Sequence, residues 1–127
     1  MPIEENAFPI LIVDDDEPTQ SLLRAVLRRC GYASETASNG REAIGLLQAK
    51  RYAAVILDMM MPEVGGREVI AFLTGTPKPV PVIICSAAGP AALAGFDPAV
   101  VKAIVRKPFD IDQLMAAVTS FVADSSS

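Results

Sequence analysis

Short apolar runs and longer amphipathic segments alternate along this chain, and the two patterns predict strands and helices in turn. Four runs rich in β-branched residues lie at 9–13, 53–57, 80–85 and 103–105, and a weaker one lies at 33–37. Their apolar residues occupy both alternating faces, as a parallel strand covered on both sides requires. These runs therefore predict five strands.

Between the strands, apolar residues recur every three or four positions, which is the spacing of one face of a helix. The predicted helices cover 17–30, 40–50 after the cap Asn39, 66–73, and 111–123 after the cap Asp110. The first is expected to bury Leu22 and the last Ile111 among their apolar residues. A fourth of five helices belongs in 88–101, where Gly89, Pro90, Gly95 and Pro98 predict a short or irregular one.

Five repeats of strand then helix predict an α/β fold, a doubly wound five-stranded parallel sheet with right-handed crossovers and helices on both faces. The 127 residues suffice for one domain. We expect an N-terminal extension at 1–8, the domain at 9–123 and a polar tail at 124–127. Active or binding sites in such sheets open at the carboxyl ends of the strands.

Composition and charge exclude several classes of function. Apolar residues make up 51% of the chain, which predicts a packed core rather than disorder. A net charge of −4 without a basic stripe argues against nucleic-acid binding. The chain has no histidine, so catalytic triads and His-ligated zinc are excluded.

The chain also lacks the patterns of secretion and membrane insertion. Acidic residues precede the first apolar run, opposite to a signal peptide, and Pro and Gly interrupt the longest uncharged stretch, 79–96. Cys30 and Cys85 lie far apart in apolar segments, which predicts two buried, reduced thiols. We therefore expect a cytoplasmic protein with no membrane contact.

Chemistry-bearing residues follow the predicted strands at their carboxyl ends. The first strand is followed by the acidic run 14–17, the third by Asp58, the fourth by Ser86 and the fifth by Lys107. Two carboxylates ~5 Å apart repel by roughly 3 kcal/mol at an effective dielectric constant of ~20, so a cluster needs a cation or a raised pKa. Oxygen ligands alone favour Mg²⁺. With Lys107 and a hydroxyl, this set suits phosphoryl transfer.

Four motifs carry a resemblance to a known family. ILIVDDDE at 10–17, VILDMMMPEVGG at 55–66, VIICSAA at 82–88 and VRKPF at 105–109 resemble the receiver domain of two-component response regulators, of the chemotaxis-regulator type. The match covers nearly the whole chain in order and spacing. The resemblance implies a flavodoxin-like strand order 2-1-3-4-5 and a cis peptide bond before Pro108.

The resemblance also implies a role for each site residue. Asp58 would accept a phosphoryl group from a histidine kinase or a histidine phosphotransfer protein, as a switch rather than a turnover enzyme. The implied Mg²⁺ ligands are Asp14, Asp15, Asp58 and the backbone carbonyl of Met60, with Asp15 a direct ligand. Ser86 would be the switch hydroxyl and Lys107 the phosphate contact. Asp16 and Glu17 match no required position and remain helix-start acids.

The implied output is binding of a downstream protein through the face of the fourth helix, fifth strand and fifth helix, by a monomer or a phosphorylation-dependent dimer.

Three features depart from the family pattern. Ser86 stands where threonine is frequent, Ile104 where many members carry an aromatic residue, and the fourth-helix segment is rich in Gly, Pro and Ala. Met60 and Ala88 would flank the path of hydrolytic water, and neither offers a strong polar group.

The sequence alone leaves three alternative functions open. Asp14 and Asp16 resemble the acid pair of haloacid-dehalogenase-like phosphatases, although Pro18 departs from that motif and the chain is short for that fold. A degenerate receiver acting without phosphate is a second alternative, against which the complete site set argues. The chain could also be the receiver module of a longer regulator.

Overall fold

The computed structural model of the protein describes residues 8–61 and 64–125, which form five strands, four α-helices and one 3₁₀ turn. The strands are β1 (Ile10–Val13), β2 (Ser34–Ala37), β3 (Ala54–Leu57), β4 (Val82–Ser86) and β5 (Val101–Arg106). The α-helices are α1 (Glu17–Arg29), α2 (Gly40–Ala49), α3 (Gly66–Thr74) and α4 (Ile111–Ser125), and the 3₁₀ turn is Pro90–Leu93. The predicted extension 1–8, apart from Phe8, and the last two residues of the predicted tail lie outside the described residues.

The strands form one parallel sheet in the order β2-β1-β3-β4-β5, which confirms the predicted doubly wound architecture. Val13 at the end of β1 lies opposite Ala37 of β2 and Leu57 of β3. The ladder continues past the strands, because the backbone N–H of Asp58 donates to the carbonyl of Val13 at 2.9 Å. The carboxyl ends of neighbouring strands are therefore held in register.

Two apolar clusters cover the two faces of the sheet. Alternate residues of β1 divide between them, with Leu11 and Val13 on the side of α2 and α3, and Ile10 and Ile12 on the side of α1 and α4. Every residue of β1, β3 and β4 is buried. Full burial of one such side chain is worth roughly 1.5–3 kcal/mol, so the central strands anchor the fold.

Side-chain caps start three of the helices. The Asp16 carboxylate accepts from the Thr19 N–H at 3.0 Å at the start of α1. Asn39 accepts from the Glu42 N–H at 2.8 Å, and Asp110 from the Asp112 N–H at 2.7 Å. The predicted caps Asn39 and Asp110 are confirmed, and Asp16 is a helix-start acid as expected.

Three burial predictions are wrong. Leu22 is 45% exposed and Ile111 41% exposed. On α1 the buried residues are Leu23 and Leu27, four positions apart, and Leu22 lies about 100° around the helix from Leu23. Cys30 is exposed because it follows the last turn of α1, whereas Cys85 is buried in β4 as predicted, and both are free thiols.

The helix predicted between β4 and β5, the fourth of the five expected, is reduced to the 3₁₀ turn Pro90–Leu93, in agreement with the prediction of a short or irregular helix. The helix α4 is therefore the fifth of the predicted helices. Gly95, which follows the 3₁₀ turn, has a φ of +85°, a conformation that L side chains rarely adopt and that ends a right-handed helix. Within the described ranges, no helix combines the length and the apolar composition needed to cross a membrane.

Candidate functional site

The parallel topology brings the predicted site residues to one rim of the sheet. Asp14 directly follows β1, Asp58 follows β3, Ser86 ends β4 and Lys107 follows β5. The N–H of Lys107 donates to the carbonyl of Ser86 at 3.0 Å, so the β4–β5 ladder extends to the lysine. These four side chains approach one another because the strands that carry them end at the same level.

Lys107 bridges the two buried carboxylates. Its Nζ lies 2.8 Å from Asp14 Oδ2 and 3.6 Å from Asp58 Oδ2. Burial disfavours the charged lysine, but the hydrogen bond to Asp14 and the charges of Asp58 and Asp14 outweigh it and hold the pKa of Lys107 above its usual value. The Lys107–Pro108 peptide bond is cis, as predicted.

The carboxylate of Asp58 has a fixed orientation. Its Oδ1 accepts from the Ser86 hydroxyl at 2.9 Å and from the Met60 N–H at 3.1 Å. Ser86 is fully buried, and its Oγ also accepts from the Ala88 N–H at 3.2 Å. The hydroxyl therefore links the carboxylate to the backbone beyond β4.

Three carboxylates converge closely enough to hold a cation. Asp14, Asp15 and Asp58 each offer an oxygen, and these oxygens all lie within 4.8 Å of one another. Asp14 and Asp58 are buried and Asp15 is exposed, so the cluster opens to solvent on one side. A set of hard oxygen donors fits Mg²⁺. Met60 follows Asp58 by two residues, and its side chain is 60% exposed at the rim.

Asp16 does not join this cluster. Its carboxylate is turned to the N-terminus of α1, where it accepts from Thr19, and that hydrogen bond lowers the pKa of Asp16. The acid pair of a haloacid-dehalogenase-like phosphatase, Asp14 with Asp16, would require both side chains to face one substrate. The structure therefore does not favour that alternative.

Two residues that support the site were missed by the sequence reasoning. Gln20 donates its side-chain N–H to the carbonyl of Asp14, which holds the backbone after β1. A Cβ atom on the buried Gly66 would lie 3.0 Å from the carbonyl oxygen of Asp58, which is tighter than an ordinary van der Waals contact, so glycine at this position lets α3 start close to the backbone after β3. The glycine pair at 65–66 is a sequence signal for such an approach, whereas Gln20 carries none.

The comparisons with known proteins agree with this geometry. A family model described as the response regulator receiver domain matches residues 10–119. The chain is 36% identical over 115 residues to the response regulator MprA of Mycolicibacterium vanbaalenii, covering 89% of this chain and 49% of that protein. MprA of Mycobacterium tuberculosis is 35% identical over 115 residues, covering 89% of this chain and 50% of that protein.

Solved structures show the same fold. The response regulator TrrA from Thermotoga maritima, in complex with Mg²⁺ and BeF, has a TM-score of 0.81 and 32% identity, covering 90% of this chain and 98% of that chain. A putative response regulator from Chloroflexus aurantiacus has a TM-score of 0.82 and 30% identity, covering 92% and 98% of the two chains.

The chain therefore belongs to the response regulator receiver domain family, whose members act in two-component signal transduction. Its strand order is the one that the resemblance of the four motifs implied. The chain spans about half the length of the curated relatives it matches.

Proposed function

We propose that this receiver domain accepts a phosphoryl group on Asp58 in an Mg²⁺-dependent reaction and thereby switches its binding to a partner protein. The phosphodonor would be a histidine kinase or a histidine phosphotransfer protein. One observation carries the proposal: a buried carboxylate lies between the Lys107 ammonium and the Ser86 hydroxyl, with two further carboxylates within 4.8 Å.

Side-chain and backbone groups of this chain orient the atoms that react. Ser86 and the Met60 N–H hold one oxygen of Asp58, which orients the carboxylate for attack on phosphorus. An oxygen–phosphorus bond forms as the donor's nitrogen–phosphorus bond breaks, and the electron pair leaves with the imidazole nitrogen. Mg²⁺, held by Asp14, Asp15, Asp58 and the Met60 carbonyl, would neutralise charge on the phosphoryl oxygens. Lys107 adds a second positive charge at the same place.

Phosphorylation would act on the segment after β4. Ser86 donates to Asp58 in the present state, and a phosphoryl group brings new acceptor oxygens to that position. A shift of Ser86 toward them moves Ala88, which donates to the same hydroxyl, and then the 3₁₀ turn Pro90–Leu93. The proposed output face consists of this turn, β5 and α4, in a monomer or a phosphorylation-dependent dimer.

The proposed chemistry is stoichiometric rather than catalytic turnover. Incubation of the protein with acetyl phosphate and Mg²⁺ should add one phosphoryl group by intact mass, and EDTA should prevent the addition. Sustained hydrolysis of a generic phosphate ester without a phosphorylated protein would argue for a phosphatase instead.

A cytoplasmic location agrees with the two free thiols of Cys30 and Cys85.

The two neighbouring acids Asp15 and Asp16 should separate metal binding from helix capping. Asp15→Ala removes a carboxylate from the three-acid cluster, so we expect at least tenfold weaker Mg²⁺ binding and slower phosphorylation. Asp16→Ala removes the α1 cap, so it should cost about 1 kcal/mol of stability and leave Mg²⁺ affinity nearly unchanged. Metal titration and urea denaturation of both variants check this; equal Mg²⁺ affinities would contradict the assigned ligand.

The lifetime of the phosphorylated protein should depend on Met60. Hydrolysis needs a water aligned with phosphorus, and a polar side chain at the rim can orient that water by hydrogen bonding. Met60 is exposed at the rim and Ala88 is buried, and neither side chain orients water. We expect slow decay of the wild type and roughly tenfold faster decay in Met60→Asn, about 1.4 kcal/mol of barrier.

The matched control for this prediction is Met60→Leu, which keeps the bulk of the side chain without adding a polar group. Its decay rate in Mg²⁺ buffer should equal that of the wild type. Rapid decay of the wild type that neither substitution changes would remove Met60 from the path of the water.

A further inference from the structure

The loop between β1 and α1 carries two acids of the three-carboxylate cluster, and the structure holds them in different ways. The buried Asp14 carboxylate accepts from the Asp16 N–H at 2.9 Å and from Lys107 Nζ at 2.8 Å. Asp15 is exposed, and no other described residue forms a hydrogen bond or an ion pair with its carboxylate. The position of the Asp15 side chain therefore depends on the backbone that carries it.

One peptide group sets the direction in which the chain continues from Asp14 to Asp15. The carbonyl of Asp14 and the N–H of Asp15 belong to the same planar unit, so a partner that orients the carbonyl also orients the bond to the Asp15 Cα. On the strand side, the Asp14 N–H donates to the Ala37 carbonyl at 3.0 Å and extends the β1–β2 ladder. The remaining freedom is rotation of the peptide after Asp14, and a hydrogen bond to its carbonyl oxygen restricts that rotation.

Gln20, in the first turns of α1, supplies this hydrogen bond. Its side-chain Nε2 donates to the Asp14 carbonyl, and its backbone N–H donates to the Asp16 carbonyl at 3.0 Å. One residue of the helix therefore binds both ends of the loop that contains Asp15. The start of α1 does not need this side chain, because Asp16 already caps the helix by accepting from the Thr19 N–H. The side-chain contact of Gln20 thus acts on the loop.

The same amide group also reaches the neighbouring loop at the rim. Nε2 of Gln20 lies 3.3 Å from Oγ of Ser38, the residue that directly follows β2. A side-chain amide nitrogen carries two hydrogens, so it can donate to Asp14 and to Ser38 at once. The N–H of Ser38 in turn donates to Glu42 Oε1 at 3.3 Å, in the first turn of α2. Gln20 therefore joins the acid-bearing loop to the start of α2.

We propose that Gln20 is a positioning residue of the Mg²⁺ site, which fixes the peptide between Asp14 and Asp15 and thereby presents the Asp15 carboxylate to the ion. Gln20 does not touch the ion, and it acts through the two acids and their shared peptide group. Ser38 is the second anchor of the Gln20 amide and has a smaller share in the same task. This inference deepens the proposed function and rests on it.

Preorganisation is the physical reason for such a role. The oxygens of Asp14, Asp15 and Asp58 lie within 4.8 Å of one another, and like charges at that distance repel when no ion lies between them. An exposed acid on a loose loop would turn toward solvent, and the ion would have to order it on binding, which weakens affinity. Hydrogen-bond partners that orient metal ligands typically contribute about 10–100-fold to metal affinity. Gln20 supplies that orientation through the backbone.

Calorimetric titration of the intact protein with Mg²⁺ tests the proposal. Gln20→Met keeps the length of the side chain and its helix propensity but removes both N–H donors, so Mg²⁺ should bind about tenfold more weakly. Ser38→Ala should weaken binding only about twofold, because its contact with Gln20 is long and exposed. Gln48→Met is the matched control, since Gln48 is exposed near the end of α2, and it should leave the affinity unchanged.

Labelling by acetyl phosphate separates positioning from general support of the fold. In Gln20→Met the Mg²⁺ concentration for half-maximal labelling should rise about tenfold, while the rate at saturating Mg²⁺ should approach that of the wild type. Gln20→Asn, which keeps the amide on a shorter side chain, should behave alike and serves if Gln20→Met does not fold.

Two results would overturn the proposal. One is an Mg²⁺ affinity in the folded Gln20 variants equal to that of Gln48→Met. The other is a loss of labelling that saturating Mg²⁺ does not restore and that follows the loss of folded protein in urea denaturation, which would assign Gln20 to stability alone. A wild type that binds Mg²⁺ but is never labelled would instead refute the proposed phosphorylation and leave the result of the Mg²⁺ titration standing.

Discussion

Asp58→Asn is expected to abolish phosphoryl incorporation while the protein stays folded. Asparagine keeps an oxygen that can accept from Ser86 and the Met60 N–H, so the local hydrogen bonds survive. It lacks the anionic oxygen that attacks phosphorus, so labelling by acetyl phosphate should fall at least ~10³-fold, which corresponds to about 4 kcal/mol of barrier. Lys107 retains its partner Asp14 at 2.8 Å, so the lysine is not left unpaired.

Asp16→Asn is the matched control for the acceptor. It also exchanges a carboxylate for an amide at the same rim, but asparagine is as good a helix cap as aspartate, and the side chain lies outside the three-acid cluster. This variant should be labelled at the wild-type level. Labelling that persists in Asp58→Asn and Asp58→Ala, with the modified residue mapped elsewhere in the chain, would refute Asp58 as the acceptor.

Two glycines of α2 should respond in opposite directions to alanine. At Gly40 the new Cβ would lie 2.5 Å from the Val64 carbonyl and 2.9 Å from the Gly65 carbonyl, both backbone groups that cannot move aside cheaply. The Gly40 N–H also donates to the Val64 carbonyl at 2.9 Å, which joins α2 to the loop before α3. We expect Gly40→Ala to lower the free energy of unfolding by roughly 2 kcal/mol.

Gly45→Ala should instead raise the free energy of unfolding by about 0.5–1 kcal/mol. Gly45 is an exposed position inside the same helix, and a Cβ there meets nothing within 4 Å, so alanine gains helix propensity without a clash. Urea denaturation of both variants, with comparison of the slopes, checks the pair. A Gly40→Ala protein as stable as Gly45→Ala would show that the loop at Val64 adapts more easily than its backbone contacts indicate.

Local sequence patterns were sufficient to predict the individual strands and helices. The apolar runs located every strand to within about two residues, and Asn39 and Asp110 cap the helices they were expected to start. Proline and glycine around 88–101 predicted the weak fourth helix, because both residues penalise a helix wherever they occur. These features depend on neighbours in the chain, which is why a single sequence reveals them.

Positions on a helix face were predicted less well. Leu22 and Ile111 have the right residue type and nearly the right spacing for burial, yet both are exposed. Which of two adjacent apolar residues faces the sheet depends on the rotation of the helix against its neighbours, and that rotation is set by packing. The same reason applies to Cys30, whose exposure follows from where α1 ends rather than from its apolar surroundings.

By itself, then, the sequence determined the alternating strands and helices, the parallel sheet and the residues that follow each strand, because these depend on composition and short-range pattern. Only the tertiary structure decided how those residues face one another. It placed Lys107 within 3.6 Å of Asp58, turned Asp16 away to cap α1 and left Ile104 uncovered beside Lys102. Such distances arise from strand register and helix packing between segments far apart in the chain, which no local pattern encodes.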